Sequence, residues 1–302
     1  MFFKNILAYR LADTAGITSQ VLLEALEQHP AKPCTGEQST YGFAVLAEPA
    51  AYARIYGDFV LLAGQKEERV LPATVVREET KKRIAKIERE ESRKVYGKEK
   101  AQIKDEAVAA LSPRAFTRKA LTWAAFDLAE GLLYVDASST GKAEDLLGKL
   151  REALGSLPVR PLLPASQPET AFTLWLKEKQ TPAGFVVLDE CELRDPAEDG
   201  GTVRIKGDDL FSEEVESHLS AGKRVTSLAL EWDEQLTFKL DGGLAVKKLR
   251  FSELLHEQAV QDAGESGKEG EFDASVVLMM QTLRKFMAEL LQVFGGELEA
   301  VK

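Results

Sequence analysis

Cysteine and histidine are scarce in this 302-residue chain: Cys34 and Cys191, and His29, His218 and His256, are all it has. Two cysteines cannot staple a small secreted fold or build a cysteine-rich zinc site, and both suit a reducing compartment. The histidines are far apart in sequence, which favours surface or helix-end positions over a catalytic or metal cluster. Nowhere do about 18 apolar residues run together, as a membrane span requires. The opening Met1-Phe2-Phe3-Lys4-Asn5 lacks the apolar stretch of a secretory leader, so a cytoplasmic protein without membrane contact is expected. Catalytic signatures are missing too: no G-x-S-x-G elbow, no H-E-x-x-H, and no dinucleotide fingerprint after a strand. Gly141-Lys142 and Gly222-Lys223 are not followed by Ser or Thr, so neither is a Walker loop. Two acidic groups, Asp189-Glu190-Cys191-Glu192 and Asp208-Asp209, are what a metal-dependent nuclease could use. In an acidic chain their ordinary reading is solvated carboxylates, so no catalytic residue, metal or cofactor is expected.

What is present is a folded protein's composition, 44% hydrophobic and 29% charged, long enough for two or three domains. Lysine and arginine number 39 against 49 acidic residues, a net charge of −10 that by itself disfavours a nucleic-acid partner. The charge is unevenly spread. Arg77–Lys119 holds 14 basic and 8 acidic residues, net +6, leaving −16 for the rest. Large apolar residues are sparse there (Ile84, Ile87, Val95 and Ile103 up to Glu106), so the segment should form charged helices, separated near Gly97, that project into solvent or meet a partner.

Around this insertion the pattern is α+β. Strands are expected at Phe3–Leu11, Tyr41–Leu46 and Phe59–Ala63, with a helix over Ser19–His29 capped by Ser19. A turn at Gly64–Glu68 should lead Arg69–Pro72 back as a hairpin. After the insertion come a hairpin, Leu121–Asp127 with Leu132–Asp136, a helix over Gly141–Leu154 and an extended stretch, Leu157–Pro164. The C-terminal region offers a helix at Glu169–Lys177, a strand at Phe185–Leu188, and a turn at Asp199-Gly200-Gly201 into Thr202–Lys206. A helix capped by Ser212 and strands Val225–Trp232, Leu236–Leu240 and Val246–Phe251 follow. Residues 262–271 read as a loop before a final helix from Asp273 to Phe294. Three segments follow from this: 1–76 and 120–168, either two halves of one α/β domain or two related sub-domains; 77–119, a charged helical insertion between them; and 169–302, a C-terminal α+β region. Within the last, Lys248 and Arg250 alternate with Leu249 and Phe251, Lys239 lies between Phe238 and Leu240, and Arg204 and Lys206 alternate with Val203 and Ile205. A sheet covering a core on one side would turn a basic surface outward, although an ordinary solvated face gives the same pattern.

The chain resembles the recombination-associated protein RdgC family of bacteria along essentially its whole length. The landmarks are Phe2-Phe3-Lys4-Asn5, Lys66 to Pro72, Pro113-Arg114-Ala115-Phe116-Thr117-Arg118, and Leu154 to Val159. Asp199-Gly200-Gly201 with Arg204 and Lys206, Gly222 to Leu230, and Phe294-Gly295-Gly296 complete the set; their order and spacing make the match specific. The resemblance implies a non-enzymatic protein of the nucleoid: a ring-shaped homodimer that encloses double-stranded DNA with little sequence preference and limits RecA recombinase. An interaction protein that inhibits recombinase by direct contact, with DNA binding secondary, is the alternative. The resemblance makes 1–76 with 120–168 a split central domain, the helices of 77–119 a tip and 169–302 a base, tip meeting tip and base meeting base across a two-fold axis. Residue by residue, Arg204, Lys206, Lys223, Arg224, Lys247, Lys248 and Arg250 fall in matching basic stretches as candidate phosphate contacts. Arg114 and Arg118 flank Phe116 as contacts to DNA or to the dimer tip. Lys119 departs from relatives with an aromatic after the second arginine, which implies a more polar, salt-sensitive tip. Gly207 departs from relatives with a second lysine there.

Overall fold

Local sequence starts each element, but pairing decides how far it runs. The computed structural model describes residues 1–12, 16–47, 49–197 and 200–298. Among the described residues the chain is α+β, with eight α-helices and two antiparallel sheets. The first part comprises β1 (Leu7–Leu11), α1 (Ser19–Glu27), β2 (Ser39–Phe43), β3 (Ala53–Tyr56) and β4 (Phe59–Val70). It continues with α2 (Ala73–Glu91), α3 (Gly97–Leu111), β5 (Phe116–Asp127), β6 (Leu132–Val135), α4 (Thr140–Leu154) and β7 (Val159–Pro161). These strands form one seven-stranded sheet in the order β2-β4-β5-β6-β1-β7, with β3 on the same edge of β4 as β2. The second part comprises α5 (Pro168–Glu178), β8 (Phe185–Arg194), β9 (Thr202–Lys206), α6 (Glu213–Ser220) and β10 (Arg224–Trp232). After these come β11 (Leu236–Asp241), β12 (Val246–Phe251), α7 (Glu253–Ala263) and α8 (Gly267–Val293). Its five strands are ordered β12-β11-β10-β8-β9.

The seven-stranded sheet is covered on both faces, and strand alternation sorts its side chains between two cores. Val60 and Leu62 of β4 join Leu22 and Leu26 of α1 and Leu146, Leu147 and Leu150 of α4. Phe59 and Leu61 face the other way, into the core built around α8, whose Met280, Leu283, Phe286 and Leu290 also cover Trp232 and Phe238 of the five-stranded sheet. One core thus runs through both sheets. Residues 4–6 fasten them: Ile6 exchanges backbone hydrogen bonds of 2.8 and 3.0 Å with Val246, and Leu249 donates to the Lys4 carbonyl at 2.9 Å. Consequently the expected strand Phe3–Leu11 is divided, its start lying along β12 and its end forming β1.

Four further expectations are corrected. Gly64–Glu68 is no turn but the middle of the twelve-residue strand β4, bonded to β2 on one side and β5 on the other. Gly64 is there for close approach, since a Cβ would lie 2.4 Å from the Tyr41 hydroxyl and 2.7 Å from Leu146 Cδ1. The cap of α1 is Thr18, whose hydroxyl accepts from the Val21 N–H at 3.2 Å, not Ser19. Residues 262–271 are mostly helical, because α7 runs to Ala263 and α8 starts at Gly267; Leu255, Ala259 and Ala263 of α7 have buried faces. Finally, β8 extends past Leu188 to Arg194 because β10 and β9 pair with its second half. Asp199, read as opening a turn into β9, lies outside the described residues. The charged insertion does form two helices packed on each other, α2 ending at a left-handed Ser92 and α3 starting at Gly97.

Candidate nucleic-acid interface

The five-stranded sheet buries one face under α8 and turns the other to solvent. In β9 and β11 the residues at alternate positions are therefore polar or charged, and register assigns them, with Arg224 at the start of β10, to one surface. Arg204 stands opposite Glu192, Lys206 opposite Glu190, and Arg224 opposite Arg194. Thr237 stands opposite Arg250, and Lys239 opposite Lys247.

Strict alternation would send Lys247 and Lys248 to opposite faces. A bulge prevents this. The register between β11 and β12 slips by one residue between Thr237 and Lys239, and Lys248 adopts φ +53°, the left-handed conformation of an inserted residue. Lys247, Lys248 and Arg250 then serve one surface, while Val246, Leu249 and Phe251 stay in the core.

Carboxylates are interleaved with these cations. Glu190 accepts from Lys239 at 2.8 Å and from Lys248 at 2.6 Å, and these bonds hold its carboxyl down at about 2. Glu192 accepts from Arg204 at 2.7 Å and Asp241 from Lys247 at 3.0 Å. By contrast Arg194, Lys206, Arg224 and Arg250 make no ion pair among the described residues, so their charge is open to a ligand. Lys223 is displaced from this set: it precedes β10, its side chain is largely covered, and its ammonium lies 3.9 Å from Asp195. Arg194 and Lys239 were not among the sequence candidates. The alternation of β11 signals Lys239, but nothing signals Arg194 unless β8 is known to continue past Leu188.

Arg114, Phe116, Arg118 and Lys119 lie elsewhere, on the seven-stranded sheet where α3 returns to β5, with strand alternation sending Phe116 and Arg118 to one face and Lys119 to the other. Phe116 is 87% exposed and pairs with the exposed Val70 of β4, a small apolar step at the foot of the helical hairpin. Arg118 is engaged by Glu68, and the Lys119 ammonium lies 3.9 Å from the buried Glu67 carboxylate.

The acidic group on β8 is not arranged as a metal centre. Glu190 and Glu192 are taken by cations on the outer face, while Cys191 points into the core, where burial pushes its thiol up to about 11. Among the described residues no three His, Cys, Asp or Glu side chains converge as metal ligands, and no helix is long and apolar enough to cross a membrane.

A family model described as "Putative exonuclease, RdgC" matches residues 1–297. The chain belongs to the RdgC family. Proteins called "Recombination-associated protein RdgC" from Pseudomonas paraeruginosa and Pseudomonas aeruginosa are each 48% identical to it over 301 residues, covering 98% of both chains. The RdgC protein of Pseudomonas putida is 47% identical over the same length and coverage. Family membership thus agrees with the resemblance read from the landmarks. The family description names an exonuclease, whereas the relatives' names give only an association with recombination.

Proposed function

We propose that this protein binds double-stranded DNA without sequence preference, as a ring-shaped homodimer acting at the nucleoid in the cytoplasm, and thereby limits RecA-mediated recombination. The reading rests on one observation above the rest: in a chain of net charge −10, Arg194, Lys206, Arg224 and Arg250 stand on one sheet face without ion partners among the described residues, beside four more cations braced by carboxylates. Such a face would neutralise phosphates and release counterions, a contribution to binding that does not depend on base sequence. The family relationship and the relatives' names add support. In this reading the five-stranded sheet belongs to the base, the α2–α3 hairpin with Phe116 forms the tip, and the seven-stranded sheet is the split central domain. Two isologous contacts, base to base and tip to tip, would close the ring. The acidic excess would then lie outside and repel DNA from every other surface.

The test is duplex binding measured against salt. Log affinity should fall linearly with log salt, with a slope of about −0.9 per phosphate neutralised. Lys206→Glu with Arg250→Glu should flatten that slope and abolish inhibition of strand exchange in parallel. Inhibition that survives loss of DNA binding would favour direct contact with the recombinase. Light scattering should give twice the chain mass, and sealed circles should retain the protein through a salt challenge better than short linear duplexes. The family description favours a second reading, a nuclease, and incubation with linear duplex and Mg²⁺ separates the two: reproducible degradation would sink the non-enzymatic one.

A further inference from the structure

A cleft between the helical hairpin and the seven-stranded sheet is lined by a set of cations that the DNA-binding reading does not use. It has a volume of about 710 Å³, and its walls include Lys66 and Arg69 of β4, Arg77 and Lys81 of α2, and Lys104 of α3. Among the described residues Glu68 is the single acidic side chain on its lining, and Arg118 already engages it. The sorting is a consequence of helical period. Ala73, Val76, Arg77, Thr80 and Lys81 follow one another at three- and four-residue steps and so form one stripe of α2 facing the cleft, while Glu78 and Glu79 fall off it. A segment that mixes both signs in sequence thus shows almost one sign to this space.

Arg69 makes the cleft more than a patch of mobile lysines. Its guanidinium is held by four backbone carbonyls: Ser112 at 2.6 Å, Cys34 and Glu37 at 3.1 Å, and Thr35 at 3.3 Å. Carbonyls fix its position without neutralising its charge. Arg77, Lys81 and Lys104 have no ion partner among the described residues, whereas Lys66 lies 3.2 Å from Asp145. The floor is apolar, with Leu71, Val76 and Val108. A volume of this size is that of a small-molecule site, roughly 300–1,000 Å³.

We infer that this cleft binds a small phosphoanion of nucleotide size, a nucleoside di- or triphosphate. Its phosphates would meet Arg69, Arg77, Lys81 and Lys104, and its base would lie on the apolar floor. Arginine and lysine supply charge-assisted hydrogen bonds to phosphate oxygens, and among the described residues no carboxylate pairs with Arg77, Lys81 or Lys104; Arg69, with four N–H groups given to carbonyls, would contribute chiefly its fixed charge. Glu68 alone is too little to hold a divalent ion, so the binding should not need one. The inference is independent of the DNA-binding reading, since none of these four cations lies on the five-stranded sheet.

The experiment is calorimetric titration of the full-length protein with ATP, pyrophosphate and adenosine in EDTA, at an ionic strength of about 0.05 M. One saturable ATP site per chain is expected, with adenosine weaker by about tenfold or more and pyrophosphate in between. The double variant Arg77→Glu/Lys81→Glu, both exposed on α2, should lose ATP binding by about tenfold or more, while Lys82→Glu on the same helix but off the cleft should not. Circular dichroism confirms that the variants keep their helices. No saturable heat with the wild type, or equal losses in Lys82→Glu and the double variant, would overturn the inference. So would displacement of ATP by a 5′-phosphorylated oligonucleotide at far lower concentration, which would assign the cleft to nucleic acid. Duplex binding by the five-stranded sheet would stand or fall on its own test.

Discussion

Glu190 occupies the position on the outer sheet face where a phosphate would be most useful, between Lys239 and Lys248. Hydrogen bonds from both lysines hold its carboxyl at about 2 instead of the usual value near 4.5, so it stays ionised at neutral pH. Because the folded value is the lower one, the stabilisation is complete above the ordinary carboxylate range and fades only as pH falls towards 2. If this face binds DNA as proposed, phosphates would have to compete with this carboxylate. Glu190→Gln is therefore expected to tighten duplex binding severalfold in fluorescence anisotropy, at a stability cost of about 0–1 kcal/mol by urea titration. Weaker binding by this variant would mean that Glu190 positions the lysines and does not compete. Cys191 carries a second residue-scale prediction. With burial pushing its thiol to about 11, only about one part in a thousand would be thiolate at pH 8, so maleimide should label it only on unfolding. Rapid labelling of the native protein would contradict its burial.

At the scale of elements, the bulge in β12 is what gathers Lys247, Lys248 and Arg250 on one surface. Lys248 pays for its φ of +53° in backbone strain, and glycine would relieve it. Lys248→Gly should retain or slightly raise stability, while Lys248→Val should be about 1–2 kcal/mol less stable than the glycine variant in denaturant unfolding. Equal stabilities would argue against the bulge. Gly64 makes the opposite case, a glycine kept for space. Gly64→Ala should cost about 1–3 kcal/mol, because the added methyl meets Tyr41 and Leu146 within the sheet-to-helix contact. These two positions also explain which elements were legible. Strands β10, β11 and β12 follow from alternation, and the paired helices α2 and α3 from charge and Gly97. The middle of β4 did not, because Gly64-Gln65-Lys66-Glu67-Glu68 has a turn's composition and becomes strand only through hydrogen bonds to β2 and β5. The helix α7 was missed because its buried face, Leu255, Ala259 and Ala263, is narrow and largely made of alanine.

On the scale of the whole molecule, the two sheets are joined by α8 and by an ion pair that spans 157 residues. Arg284 of α8 donates to Asp127 of β5 at 2.7 and 2.5 Å, and its guanidinium lies 4.4 Å above the Phe59 ring. Asp127 is fully buried. Arg284→Ala would strand that carboxylate in the core and is expected to cost about 3–5 kcal/mol in thermal or urea unfolding. Since one core runs through both sheets, the wild type should unfold in a single transition by fluorescence and by circular dichroism. Two separated transitions would show that the sheets are independent units.

The sequence by itself determined the α+β class, the position of the charged helical insertion, the scarcity of metal-ligand chemistry and, through ordered landmarks, the family. It also showed that positive charge is segregated within an acidic chain, since charge and hydrophobic period are local properties of the chain. Only the tertiary structure decided which cations share a surface. Register joined Arg194 and Arg224, a bulge turned Lys247 outward with Lys248, and the placement of the α2–α3 hairpin across a cleft from β4 set Arg77 and Lys81 in the same space as Arg69. Those juxtapositions depend on hydrogen bonds and contacts between residues far apart in the chain, and no window of local sequence contains both partners.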